Sequence, residues 1–385
     1  MSAFLDGELR DLRARARAFA AAEIEPLVAR EDGGDEAARD CFRRIAASGL
    51  LRQAVPEAYG GSRPEVSFRA LCVVREELAA AFGLADVLFA MQGLGSYAVT
   101  LAGDEALRRR FLPAVASGQG IAGIAITEPE AGSDAASVAC AARRVGGEYV
   151  LDGTKTLVTN AGIADFYTLL ARTGPAPGAR GLSTFLVEKD APGFRVSRRF
   201  EILAPHPIGE LEMRDCRVPA SQRIGEEGEG FKILMRVLDA FRATVGAAAV
   251  GIARRALAEA LARAKGRVQF GRPIAELQAV QFPLAESAAE LDAARLLVHR
   301  AAALLDEGAS RVTRESAAAK LFATEAAQRI VDRAVQIHGG LGVVRGVVVE
   351  RLYREVRALR IYEGTTEILK GVLAGRLLEE GLGEG

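Results

Sequence analysis

The stretch Tyr149–Thr159, YVLDGTKTLVT, decides how the chain is read. It holds two short β-type runs, YVL (149–151) and KTLVT (155–159), on either side of Asp152-Gly153. Those two residues accept positive φ, so the spacing predicts a hairpin turn between the runs. Similar runs surround it: GIAIT (123–127), YTLLAR (167–172) and STFLVEK (183–189), with Gly/Pro clusters at 174–178 and 191–193 as loops. Residues 120–226 therefore read as a compact all-β domain.

Outward from this stretch, both flanks are helical. In residues 1–119, ELRDLRARARAFAAAEIEPLVAR (8–30) is rich in strong helix formers and is punctuated by Pro26. Further helices are expected at Phe68–Ala81 and Asp104–Ala116, with a loop at Gly60, Gly61 and Pro64. In residues 227–385, Phe231, Leu234, Met235 and Leu238 follow the i, i+3, i+4, i+7 spacing of a buried stripe. Helical stretches at 277–307, 313–337 and 368–378 follow, and four helices in sequence suggest a bundle. An α–β–α order without alternation argues against a doubly wound parallel sheet.

Composition sets bounds. A chain of 385 residues, 50% of them apolar, can bury a large core and suggests two or three domains. Lys+Arg and Asp+Glu both count 50, so nothing points to the phosphate contacts that nucleic-acid binding needs. Cys41, Cys72, Cys140 and Cys216 lie far apart without C-x-x-C spacing, which argues against a disulfide framework or zinc site and for reduced thiols in a cytoplasm. Charge runs throughout Phe4–Arg30, so no signal peptide is expected, and no apolar run reaches the roughly 18 residues of a membrane span. His206, His299 and His338 show no metal spacing and are read as structural; no metal is expected.

Two nucleotide signatures fail. GGLGVVRG (339–346) misses the dinucleotide fingerprint at Arg345, and GEEGEGFK (225–232) has Phe231 where a P-loop needs lysine. Three other places carry chemistry. ITEPEAGSD (126–134) combines Gly132 with Thr127 and Ser133, so backbone and hydroxyls could approach a ligand, although an ordinary polar loop reads the same way. In IYEGTTEI (361–368), Gly364 permits a sharp turn and Thr365 or Thr366 can cap the following helix. Glu363 then sits at a helix mouth beside Ile361 and Tyr362, where a carboxylate could serve as a base; on this stretch alone a surface-loop glutamate is the preferred reading. Arg242 falls on the apolar stripe, one turn from Asp239, and a buried arginine needs a partner: Asp239, another carboxylate or a ligand.

Together with FLVEKDAPGF (185–194), LDAFR (238–242), GRVQFGRPI (266–274) and AVQIHGGLG (334–342), these motifs resemble the acyl-CoA dehydrogenase family in order and spacing over nearly the whole chain. The resemblance implies an α+β multidomain fold: an N-terminal helical domain, a middle β-barrel-like domain and a C-terminal four-helix bundle. It also implies FAD, bound across the dimer interface of a homotetramer built from dimers. Ile126, Thr127, Gly132, Ser133, Val158 and Thr159 would cradle the flavin end. Arg267, Gln269, Phe270 and Gln278 would reach a neighbouring subunit's FAD, and Gln336, Gly339, Gly340, Thr365 and Glu367 would hold the adenosine side. Glu363 would be the catalytic base that takes the α-proton of an acyl-CoA. Arg242 would tune it, Asp239 would help orient substrate, and Ser133, Tyr362 and Gly364 would line the substrate site. Electrons would leave to an electron-transferring flavoprotein; a flavin oxidase using O₂ and a carrier-protein-bound thioester are the alternatives. Family branches with the base directly before the arginine are excluded here, because that position is Phe241.

Two departures stand out. The family usually has tryptophan where this chain has Leu157. The stretch FEILAPHPIGELEMRD (200–215), with Pro205-His206-Pro207, replaces a Lys/Gly/Arg/Ser-rich one. Met91–Tyr97 would form part of the acyl pocket, with Tyr97 shortening it toward short, branched or cyclic acyl groups.

Overall fold

A computed structural model describes residues 5–30, 34–309 and 311–381; the ends of the first and last predicted regions, and Phe4 of the charged N-terminal run, lie outside them. Helices α1 (Gly7–Phe19), α2 (Gly34–Ala47), α3 (Phe68–Ala81), α4 (Gly83–Ala102) and α5 (Glu105–Ser117) come first. Strands β1 (Ala122–Ala125), β2 (Ala141–Val145), β3 (Glu148–Thr159), β4 (Phe166–Arg172), β5 (Leu182–Glu188), β6 (Phe194–Phe200), β7 (Ile208–Pro219) and β8 (Arg223–Ile224) follow. Then come α6 (Gly230–Gly266), the short hairpin β9 (Val268–Gln269) and β10 (Arg272–Pro273), α7 (Gln278–Asp306), α8 (Thr313–His338), α9 (Val348–Leu359) and α10 (Thr366–Glu380). This is the helical–β–helical architecture expected.

Strands β1 to β8 form one sheet in the order β6-β7-β3-β2-β4-β5-β8, with β1 parallel to β4. Asp152-Gly153 is not the predicted turn. Strand β3 runs unbroken through it, paired antiparallel with β7, and the pair slips register between Leu151 and Gly153. The hairpin lies at Gly146-Gly147, before β3. The Asp-Gly signal is real but local: Asp152 Oδ1 accepts from the Asp215 N–H at 2.8 Å, and a Cβ on Gly153 would sit 2.8 Å from Cys140. Glycine is needed there for close approach across a bulge. A second slip, between Lys155 and Val158, leaves Leu157 left-handed at φ 54° and 56% exposed.

Helices α2, α4 and α9 (Gly34–Ala47, Gly83–Ala102 and Val348–Leu359) are additional to the expected helical stretches. Helix α4 is apolar on all sides, so it shows no 3.6-residue period. It corrects the expectation about apolar runs: its 20 residues include an 18-residue window of mean hydropathy 1.3, long and apolar enough for a span, but 78% of that window is buried in the protein, so it is a core helix. Caps hold the predicted starts: Ser67 accepts from the Ala70 N–H at 3.2 Å and Asp104 from the Leu107 N–H at 2.8 Å.

The chain divides into two compact units, residues 30–66 with 87–238, and residues 5–29, 67–86 and 239–381 among those described; the boundary falls inside α4 and α6. The first contains the sheet. In the second, α8 packs against α7, α9 and α10. Gly251 brings α6 onto α3, since a Cβ there would lie 2.2 Å from the Glu76 carbonyl.

Candidate active site

Glu363 lies in the short turn between α9 and α10, in the helical unit. Thr365 caps α10, its hydroxyl accepting from the Ile368 N–H at 3.3 Å, so the helix-mouth expectation holds. Gly364 has φ 99° and Glu363 itself φ 54°, left-handed for a residue with a long side chain. Backbone strain of this kind gathers at functional sites. Two buried cations hold the turn by its main chain. Arg242 Nε donates to the Glu363 carbonyl at 3.3 Å, and Lys320 Nζ, from α8, donates to the Gly364 carbonyl at 2.6 Å.

The carboxylate is treated differently. Glu363 Oε2 is buried and has no hydrogen-bond partner. Burial pushes the Glu363 carboxyl above the ordinary glutamate value, against the charges of Arg75, Lys320 and Arg242, while Asp86 adds to the upward push. A buried acceptor left open is costly unless something is meant to reach it. Burial also pushes the Lys320 ammonium down to about 8, with Glu363 opposing that fall and Arg242 adding to it.

Arg242 finds the partners its position demanded. Its Nη1 donates to Asp239 Oδ1 at 2.6 Å, and Asp239 Oδ2 accepts from the Thr313 hydroxyl at 2.6 Å. Asp239 is therefore occupied on both oxygens and acts first on Arg242. Arg75, Asp86, Thr244 and Lys320 were not read from the sequence. Arg75, Asp86 and Thr244, from α3, α4 and α6, meet only in the fold, and Lys320 reaches the turn from α8; for the three charged residues the one signal was charge inside apolar helical runs. Phe241 is 1% exposed and packs edge-on to Phe68, a core residue and not a base.

The other named positions fall in groups. In the sheet unit, the ITEPEAGSD loop is anchored by Glu128, which accepts from the Ala139 and Cys140 N–H groups at 2.7 and 2.9 Å and from Lys155 Nζ at 2.6 Å. Lys155 also donates to the Ile126 carbonyl at 3.0 Å, and the Thr127 carbonyl accepts from the Thr156 N–H at 2.9 Å. Gly132 and Ser133 are exposed, with open space around Gly132. Val158 is buried, and the Thr159 hydroxyl lies 2.8 Å from His206 Nε2. His206 thus gives the unusual 200–215 stretch a direct tie to a predicted site residue. Burial holds its imidazole down at about 4.

In the helical unit, Arg267, Gln269 and Phe270 form the exposed β9–β10 hairpin. Phe270 is 90% exposed with φ 51°, an aromatic ring displayed on a left-handed turn. Gln278 and Gln336 are exposed on α7 and α8. Gly339 and Gly340 have nothing within 4 Å of a built Cβ, Thr365 is the α10 cap, and Glu367 is in the first turn of that helix. Open glycine backbone and an uncovered aromatic suit a large planar nucleotide cofactor, so the residues present fit FAD.

Family models match in the same order: the acyl-CoA dehydrogenase N-terminal domain over residues 6–119, the middle domain over 123–216 and the C-terminal domain over 228–378. The probable acyl-CoA dehydrogenase FadE25 of Mycobacterium tuberculosis is 40% identical over 97% of this chain and 96% of its own length. Butyryl-CoA dehydrogenase of Megasphaera elsdenii is similar in structure, with a TM-score of 0.93 at 33% identity, covering 97% of this chain and 99% of the other. An acyl-CoA dehydrogenase of Bacillus anthracis complexed with FAD gives a TM-score of 0.90 at 30% identity, over 98% of this chain and 67% of the other. Full-length agreement in sequence, domain order and fold leaves one assignment: this chain is an oxidoreductase of the acyl-CoA dehydrogenase family, with FAD as its cofactor.

Proposed function

We propose that the enzyme converts an acyl-CoA thioester to the trans-2-enoyl-CoA, with Glu363 removing the α-proton. The observation that carries this reading is the buried Glu363 Oε2 without a partner, on a turn that Arg242 and Lys320 hold by its carbonyls. A base must have an open lone pair and a fixed direction, and this arrangement supplies both. The Glu363 N–H is offered to the thioester carbonyl, where negative charge develops as the proton leaves. Arg242 keeps the turn in place, and Asp239 keeps Arg242 in place. Bound FAD supplies the acceptor for the hydride from the β-carbon.

Ile126, Thr127, Gly132, Ser133, Val158 and Thr159 hold the flavin end. Arg267, Gln269, Phe270 and Gln278 reach the cofactor of a neighbouring copy in a homotetramer; the exposed Phe270 ring and left-handed hairpin support this. Gln336, Gly339, Gly340, Thr365 and Glu367 hold the adenosine side. Ser133, Tyr362 and Gly364 line the thioester. The three domains meet near residues 119 and 227. An electron-transferring flavoprotein takes the electrons in the cytoplasm, a setting in keeping with four free, buried cysteines. Half-buried Tyr97 on α4 favours a short, branched or cyclic acyl group, in line with the butyryl-CoA enzyme that the fold matches.

Anaerobic titration of the holoenzyme with a panel of acyl-CoAs, followed by flavin bleaching, tests the reading. Glu363→Gln should retain FAD and bind acyl-CoA while bleaching slows by about 10³-fold, the usual scale for a lost general base. Undiminished bleaching in that variant would place the base elsewhere. A long straight-chain thioester as best substrate would remove the short-acyl reading, and rapid peroxide formation in air would make the enzyme an oxidase.

A further inference from the structure

The stretch 200–215 has no role in the proposed reaction, yet it makes one directed contact with a residue that does. His206 Nε2 lies 2.8 Å from the Thr159 hydroxyl. Both side chains are placed by their main chains. Thr159 ends β3 and pairs with Ile208 at the start of β7, and the next residue, Asn160, donates its N–H to the Pro207 carbonyl at 2.6 Å. Pro207 in turn disfavours helical backbone at His206, since proline crowds the residue before it. The Asn160 side chain donates to the Ala122 carbonyl at 2.9 Å, and the Asn160 carbonyl accepts from the Tyr167 hydroxyl at 3.1 Å. The end of β3 is thus held from β1, β4 and β7, and the segment entering β7 carries His206 to Thr159.

Strand register does not depend on this contact, because main-chain pairing already fixes Val158, Thr159 and Asn160 against the start of β7. A half-buried threonine hydroxyl can also be satisfied by water. What the imidazole adds is direction. Burial holds it at about 4, so at neutral pH the ring is uncharged and Nε2 is either a donor or an acceptor. A threonine hydroxyl has one proton to give and lone pairs to offer. Bonded to Nε2 on one side, it presents a defined remainder on the other. Residues read as the flavin end gather at this place: Val158 and Thr159 lie in it, and the Thr127 carbonyl accepts from the Thr156 N–H at 2.9 Å, which lays the 126–134 loop alongside.

We propose that His206 is a positioning residue for the flavin: it fixes the direction of the Thr159 hydroxyl and so sets the hydrogen bond that this hydroxyl offers the cofactor. The inference rests on Thr159 holding the flavin end. A flavin ring gains N–H donors on reduction, so a hydroxyl held in one direction favours one redox state over the other.

The test uses the holoenzyme without substrate and reads the midpoint potential and absorption spectrum of the bound flavin. Thr159→Val should change the relative hold on oxidised and reduced flavin by about tenfold, a shift of about 30 mV for a two-electron couple. His206→Phe should shift the midpoint in the same direction. The double variant should move no further than Thr159→Val alone, because residues that act through one contact do not add. His206→Gln, whose amide reaches the place of Nε2, should return potential and spectrum toward those of the parent. His206→Asn, whose shorter amide stands nearer the place of Nδ1, should not. If His206→Phe does not fold, the Gln and Asn variants decide. Suppose Thr159→Val shifts the potential while every His206 variant matches the parent, or the two single shifts oppose each other or add in full. Each of these results would overturn the proposal and leave the flavin reading of Thr159 intact. A parent-like potential and spectrum in Thr159→Val would remove the flavin reading of Thr159, and the proposal with it.

Discussion

Glu77 and Glu363 lie in the same compact unit, and each is surrounded by three cations, yet they have opposite character. Glu77 is bonded directly: Arg13 Nε at 2.8 Å, Arg17 Nε at 3.0 Å and Arg254 Nη2 at 2.8 Å all reach its oxygens. Burial raises its carboxyl, but the Arg17 and Arg13 hydrogen bonds and the Arg254 charge outweigh burial and hold it below the ordinary range. Around Glu363, Arg242 and Lys320 bond to carbonyl oxygens of the turn, and Arg75 bonds to Asp86 and Thr244. Glu363 therefore keeps an open Oε2 and a raised proton affinity. The number of nearby cations does not decide whether a glutamate's carboxylate is fully bonded or left with an open oxygen. What decides it is whether those cations spend their donors on its carboxylate or on its backbone.

The comparison can be broken most directly at Glu77. Glu77→Gln strips a buried charge from three arginines and should cost about 3–5 kcal/mol, read as a drop in denaturant midpoint. A loss under about 1 kcal/mol would mean that Glu77 is no better bound than Glu363. A smaller effect, of opposite sign at the two sites, should appear in stability against pH. Glu77 has a lowered folded value, so its contribution is present above the unfolded value near 4.5 and is lost as pH falls through the folded one. Glu363 has a raised folded value, so its contribution is present below about 4.5 and is lost as pH rises through the folded one. Glu363→Gln should therefore be at least as stable as the parent at neutral pH, and its stability curve should lack the parent's loss in that window. Thr365→Ala sharpens the contrast with the smallest effect. Losing the α10 cap should cost about 1 kcal/mol in thermal unfolding and loosen the Glu363 turn, with no counterpart at Glu77.

The sequence was informative wherever structure is local. The capped turn around Glu363, the apolar stripe of α6 carrying Arg242, and most strands follow from spacing within a few residues. Asp152-Gly153 misled because the same two residues suit a turn and a bulge, and only pairing with β7, some 60 residues on, chooses between them. Helix α4 escaped because uniform apolarity erases the period that marks a helix. The partners of Glu363 were hidden for a related reason. Arg75, Asp86 and Lys320 each read as a stray charge in an apolar run, and their meaning lies in contacts between helices far apart in sequence. His206 carried no local signal for its bond to Thr159, which depends on β3 pairing with the start of β7.

The left-handed backbone at Glu363 has a further consequence for redesign. Asparagine and aspartate enter that conformation more readily than glutamate. Ease of folding would favour the shorter side chain, and under the proposed function the extra methylene gives the base its reach. Backbone and arm are thus separable parts. Under the proposed function, the turn fixes where the arm begins, and the length of the arm fixes which carbon of a bound acyl group it reaches. An engineer who wants the enzyme to act on a thioester seated slightly deeper or shallower should change the arm, and leave its mounting alone.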